Sequence, residues 1–315
     1  MKAPRRILFI TLSNIGDLVM TTPLLEALHL AYPDYVIDVV ADPRSSDLLR
    51  ACPYIDQVIH RDKSAGAGGT LRLIAQLRER YYEIAVDLRT AFLTLFIRCG
   101  DRGQKRRGTS RGAHAVQHHF TALGSILGPL AEIPPARLWL DDRARERASE
   151  LLEGHSNDRS LIIAPGANWP GKVWPVARYA ALVNGLEAAF ERVIVVGSEA
   201  DQAAGETLRE ASRLPLTNLA GATGLLEAAA CMAGARAFVG NDSGLGHMAA
   251  ALDVPTVTVF GPGQPARYRP WGRRAELVLA PDGDLAALEA QAVIEAVRGQ
   301  LDPPVTDHDA PGRAG

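Results

Sequence analysis

Short strand-like runs recur along the chain, at residues 7–12, 36–41, 84–88, 161–164, 193–196, 237–239 and 256–260, and the first of them is apolar with no polar alternation. A strand that is apolar on both faces must be covered on both, and such strands belong to parallel sheets sandwiched between helices. Helix-length stretches lie between them. One runs through Leu18, Val19, Leu24, Leu25 and Leu28, and others cover 71–81 and 225–232. Strand and helix therefore alternate, which predicts an α/β fold of parallel sheets with helices on both faces. The alternation pauses after a charged helix at 141–153, in the linker-like stretch 154–158, and then begins a second cycle. At 315 residues the chain has room for two domains. The division expected is 1–155 and 156–300, with a polar, proline-rich, disordered tail at 301–315.

Composition narrows the function. A net charge of −2 argues against wholesale nucleic-acid binding. No run approaches the length of a membrane span, and MKAPRR leads directly into a strand, so a cytoplasmic protein is expected. The three cysteines, Cys52, Cys99 and Cys231, have no ligand spacing and read as reduced thiols, with no metal site expected. The first strand–turn–helix, through Ser13-Asn14-Ile15-Gly16-Asp17, lacks the G-x-G-x-x-G fingerprint, which argues against a dinucleotide cofactor.

Four stretches carry candidate chemistry. Residues 238–261, FVGNDSGLGHMAAALDVPTVTVFG, read as strand, glycine-containing loop, small-residue helix and strand. A helix start of this kind offers unpaired N–H groups and a positive dipole end to a phosphate. Asp242, Ser243, Gly244 and His247 cluster there, at a strand end where open α/β sheets bind ligands. Asp17 follows the first strand; it is open to a chemical role or to favouring the dipole of its own helix. Lys172 lies in a loop before a helix opened by Pro175, either solvated or held as a point charge for a phosphate. Residues 98–111, RCGDRGQKRRGTSR, read as a loop. Its Arg98, Arg102, Lys105, Arg106, Arg107 and Arg111 against Asp101 form either a solvated run or a capture surface for an anionic partner. His114, His118 and His119 are expected on the polar face of the next helix. Residues 64–69 read as a flexible loop.

Three of these motifs, in this order and spacing across residues 6 to about 271, resemble glycosyltransferase family 9, the ADP-heptose:lipopolysaccharide heptosyltransferases. They are ILFITLSNIGDLVMTTPLLEAL, APGANWPGKVWPVARYAAL and VGNDSGLGHMAAALDVPTVTVFGP. The chain departs from the family's phosphate loop at Asn168-Trp169-Pro170, where small hydroxyl residues are common, and it lacks a cysteine-containing C-terminal segment.

The resemblance implies a GT-B architecture, two Rossmann-like domains facing across a cleft, with the acceptor on the first and the nucleotide-sugar on the second. It implies an inverting transfer of heptose or a related sugar from an ADP-sugar to an anionic, lipid-linked core glycan, at the inner face of the cytoplasmic membrane, without a cofactor or metal. Asp17 is then the base, Lys172 contacts the donor diphosphate, and Glu199 holds the ribose. Asp242 holds sugar hydroxyls, Ser243 and Gly244 close on the diphosphate, and His247 stands near enough to assist. The arginines Arg98, Arg102, Arg106, Arg107 and Arg111 would meet the acceptor. A GT-B epimerase or hydrolase, or a non-catalytic nucleotide-sugar-binding protein, would use the same cleft without an acceptor.

Overall fold

The computed structural model describes residues 4–60, 66–90, 92–105, 113–128 and 132–301. Arg106, Arg107, Arg111, the start of the 64–69 stretch and all of the tail beyond Leu301 lie outside the described residues.

Two parallel sheets form the molecule. The first holds β1 (Arg5–Ile10), β2 (Tyr35–Ala41), β3 (Ile55–His60), β4 (Tyr82–Asp87) and β5 (Cys99–Gln104), in the order β3-β2-β1-β4-β5. The second holds β6 (Ser160–Ala164), β7 (Arg192–Val195), β8 (Leu216–Asn218), β9 (Ala237–Asn241), β10 (Thr256–Phe260) and β11 (Ala275–Leu279), in the order β11-β10-β9-β6-β7-β8. Every pairing is parallel. The central strands are the expected apolar runs: β6, β9 and β10 are buried at every residue. The order reverses beside β1 in one sheet and between β9 and β6 in the other, and these switch points open toward the strands' carboxyl ends.

Pro23 marks where regular helix starts. A short helix, Ile15–Val19, ends at Met20, and a second, Thr22–Ala31, begins with Pro23 in its first turn, where the missing N–H costs nothing. Two expectations need correction, and one strand was not foreseen. The glycines at 66–69 begin the helix Gly66–Arg78, because Leu73 and Leu77 bury against the first sheet and that packing outweighs their low helix propensity. The beginning of the basic run is not a loop but the edge strand β5. Its glycines permit close backbone approach: a Cβ on Gly103 would lie 2.4 Å from the Ala122 carbonyl oxygen. β11 had no clear signal, since AELVL is only half-buried at the sheet edge.

Gly103→Ala should therefore lower Tm by several degrees, for a cost of about 1–3 kcal/mol as the backbone at Ala122 is forced away. Thermal unfolding of the purified variant tests this, and an unchanged Tm would mean that the 121–123 turn yields freely.

Candidate active site

The two halves meet at the starts of two helices. In the first half, Asn14 precedes the helix Ile15–Val19, which carries Asp17 in its first turn. In the second, Ser243 precedes the helix Gly244–Ala251. A Cβ on Gly244 would stand 2.7 Å from the Ile15 Cβ, and one on Gly16 would stand 2.8 Å from the His247 ring. Only glycine at both positions lets the two helix starts come this close. A residue with a side chain at either would wedge the halves apart.

Asn241 holds the phosphate-loop candidate in place. Fully buried at the end of β9, its side chain accepts from the Trp174 N–H at 3.0 Å and donates to the Pro165 carbonyl at 2.6 Å. Trp174 is buried as well, its indole N–H donating to the Leu288 carbonyl at 3.0 Å. Between these anchors the turn Pro170–Lys172 swings Lys172 over the end of β9, where its ammonium pairs with Asp242.

A cavity of about 270 Å³ opens here, lined from the first half by Asn14, Gly16, Asp17 and Met20, and from the second by Lys172, Asp242, Ser243, Gly244 and His247 among others. Asp17 is half-buried, its carboxylate accepting from the Asn14 amide at 2.9 Å. A second cavity of about 380 Å³ shares Asn168, Ser243 and Gly244 with the first and continues past Ser198, Asp201 and Thr223. The structure thus brings together Asp17, Lys172, Asp242, Ser243, Gly244 and His247.

Glu199 is exposed and lines neither cavity; Ser198 and Asp201 take its place on the wall. The Asp201 carboxylate accepts from the Ser198 N–H and hydroxyl, each at 2.8 Å, which fixes that wall. Nothing in the spacing of Gly197-Ser198-Glu199-Ala200-Asp201 distinguishes the inward acid from the outward one, because a single turn of 3-10 helix decides it.

The basic run divides. Arg98 is exposed ahead of β5, at the opposite end of that parallel strand from the cavity, and Arg102 is exposed on the strand. Lys105, just past the strand's carboxyl end, is half-buried and interacts with the charges of Asp17 and Asp87. Burial pushes its ammonium below the ordinary lysine range, while those two carboxylates act in the opposite direction. Sequence alone does not distinguish Lys105 within the run, since it does not tell which cation sits at the cleft end of the strand.

The histidines also depart from a polar face. His114 caps the helix Ala115–Phe120, accepting from the Val116 N–H at 3.2 Å through Nδ1, so Nε2 donates to the Arg269 carbonyl at 2.8 Å. His119 is buried. Burial holds it at about 3 and His247 at about 4, so both are neutral near neutral pH. The Ser243 Oγ, His247 Nδ1 and Thr223 Oγ1 are buried without a hydrogen-bond partner, and all three residues line the cavities. Unsatisfied atoms gathered at one place are what a ligand-binding wall presents. Among the described residues no cluster of three or more His, Cys, Asp or Glu could hold a metal ion, and no helix is long and apolar enough to cross a membrane.

Comparison with known proteins matches residues 70–297 to the model of glycosyltransferase family 9 (heptosyltransferase). Lipopolysaccharide heptosyltransferase 2 of Salmonella typhimurium is 32% identical, the match covering 87% of each chain. Lipopolysaccharide heptosyltransferase 2 of Escherichia coli is 30% identical, again over 87% of each chain. The solved structure of E. coli ADP-heptose lipopolysaccharide heptosyltransferase II superimposes with a TM-score of 0.78 at 26% identity, covering 94% of this chain and 98% of that one.

The depressed imidazoles carry a pH consequence. Unfolded histidine takes up its proton near 6.5, whereas His247 and His119 resist it to about 4 and about 3 in the folded chain. Stability from these residues is level above pH 6.5 and falls as pH drops toward 4, because the unfolded state then binds more protons. Tm measured between pH 7.5 and 4.5 should decline, and His119→Gln should flatten the decline; an equally steep profile would remove His119 as its cause.

Proposed function

The chain belongs to glycosyltransferase family 9 and is a heptosyltransferase-type glycosyltransferase of GT-B architecture; from this premise we propose that it transfers heptose from an ADP-heptose donor to the inner core of a lipopolysaccharide, with inversion at the anomeric carbon. The observation that carries this reading is the meeting of Asp17 from one half with Lys172, Asp242 and the start of the helix Gly244–Ala251 from the other, in one cavity.

The nucleoside occupies the larger cavity, with the ribose toward Ser198 and Asp201 and not toward Glu199. The diphosphate lies across Ser243 and Gly244, where the unpaired N–H groups and positive dipole end of the helix meet it. Lys172 leaves Asp242 to pair with the diphosphate, and Asp242 turns to the sugar hydroxyls. The acceptor hydroxyl attacks the anomeric carbon from the side of Asp17 and forms the new C–O bond. The bond to the β-phosphate oxygen breaks with its electron pair, ADP departs, and the hydroxyl proton passes to the Asp17 carboxylate. Charge growing on the departing diphosphate is met by Lys172 and the helix start, which act most strongly in the transition state. His247, neutral and packed on Gly16, supports the cavity wall.

The acceptor lies against the first half. Lys105 at the cleft end of β5 is the described cation of that half whose charge acts on Asp17, and Arg106, Arg107 and Arg111 follow it in the chain to meet anionic groups of the core. Asn14 orients the Asp17 carboxylate toward the incoming hydroxyl.

Asp17→Asn keeps the size of the side chain and removes its basicity. Transfer should fall by roughly 10²–10⁴ while calorimetric affinity for ADP-heptose stays the same; near-normal single-turnover transfer would end the assignment of Asp17 as base. Lys172→Ala should weaken donor binding and slow transfer by roughly 10²–10³, with Tm little changed. Donor consumption by the wild-type protein in the absence of acceptor would instead favour a hydrolase or epimerase.

A further inference from the structure

The connection from β4 to β5 is unusual for a parallel pair. It has only residues 88–98 in which to cross the sheet, and in place of a covering helix it forms the single 3-10 turn Leu93–Phe96. Leu93 and Ile97 bury in the core on that face of the first sheet. Phe92, Leu95 and Phe96 point away from it, 51%, 64% and 53% exposed. Phe92 and Phe96 meet edge to face with their centroids 6.4 Å apart, so the three side chains form one apolar wedge. Among the described residues, the other large exposed apolar side chains of the first half, Leu30, Leu71 and Tyr81, come from separate segments.

The wedge is rigidly mounted beside cationic charge. The Thr94 carbonyl accepts from the Arg102 Nε at 3.2 Å, and the Thr94 hydroxyl accepts from the Gln104 amide at 3.1 Å, which bolts the turn to β5. Arg98 and Arg102 are both exposed there. Between residues 88 and 105 the basic side chains Arg89, Arg98, Arg102 and Lys105 face one acid, Asp101.

We propose that Phe92, Leu95 and Phe96, with Arg98 and Arg102, dock the first half on an anionic lipid bilayer surface. Aromatic and leucine side chains enter the interface while guanidinium groups stay at headgroup level, the pattern of interfacial binding. Arginines near an anionic leaflet add an attraction that salt weakens. A protein partner fits this surface less well, because the apolar part is three side chains on one turn and not a groove or a broad face. The proposal rests on the reading above only for its purpose, since a lipid-linked acceptor is found at such a surface. It also gives Arg98 a role that its distance from the cleft denies it as a contact to the reacting sugar.

Flotation of the full-length protein with vesicles tests it, without donor or acceptor, so that the result is independent of whether the chain transfers heptose. Wild-type protein should float with phosphatidylglycerol-containing vesicles at about 0.15 M salt and far less with pure phosphatidylcholine. The triple variant Phe92→Ser, Leu95→Ser, Phe96→Ser should lose roughly tenfold or more of that binding, and Arg98→Glu with Arg102→Glu should lose binding together with its salt dependence. Leu95→Glu alone, at the most exposed position, gives the same reading if the triple variant fails to fold. Wild-type protein that does not float, or Leu95→Glu protein that floats as well as wild type, overturns the proposal. So does a wild-type dimer in sedimentation that the substitutions dissociate, which would make the wedge a contact between copies.

Discussion

Contact between two helix starts organises the molecule. The helices Ile15–Val19 and Gly244–Ala251 approach each other through Gly16 and Gly244, and the absence of two side chains brings Asp17 to the phosphate-binding candidates. His247 fills the space over Gly16, and burial keeps it neutral. A charged imidazole at that contact would place an unsolvated cation between the halves, next to Lys172 and His114. The same packing that closes the cleft therefore controls the protonation of its wall.

Positions within the cleft depend on side chains that do no chemistry themselves. Asn241 and Trp174 tie the loop after β6 to the end of β9, and so determine where Lys172 emerges. Lys172 and Asp242 pair with each other at the partly exposed cavity wall, so each charge has a partner and remains available to exchange it for a ligand group. Ser243, Thr223 and His247 keep unsatisfied atoms facing the cavities. Folding alone would favour pairing these atoms, and the proposed donor would supply the partners that the protein withholds.

The first half carries its own division of labour along one strand. β5 runs parallel to β4, so its carboxyl end delivers Lys105 to the cleft while its beginning holds Arg98 on the outer surface. Beside it the short crossover leaves apolar rings exposed where a helix would have covered them. The proposed catalytic cleft and the proposed docking surface are thereby separated by the length of a strand.

The fold class was legible because strands covered on both faces are short and mostly apolar, and the motifs 238–261 and 161–175 each hold their chemistry in the segment that follows a strand end. Lys172, Asp242, Ser243, Gly244 and His247 could be named from those local patterns and Asp17 from the first strand–turn–helix with the family resemblance, and the structure gathers all six into one cavity. What local pattern could not convey depends on contacts between distant segments. Gly100 and Gly103 read as loop-formers until Glu83 and Ala122 are seen pressing on them, which makes the stretch an edge strand. His119 read as surface until the fold buried it. Asp201 and not Glu199 faces the cavity because of a single turn whose direction Gly197 and Ser198 do not determine alone. Sequence by itself determined the buried central strands and which strand ends gather candidate ligand-binding residues, since both follow from short-range pattern. Only tertiary structure decided which of two neighbouring acids, and which of the described cations Arg98, Arg102 and Lys105, meets the cleft, since direction is set by packing between residues far apart in the chain.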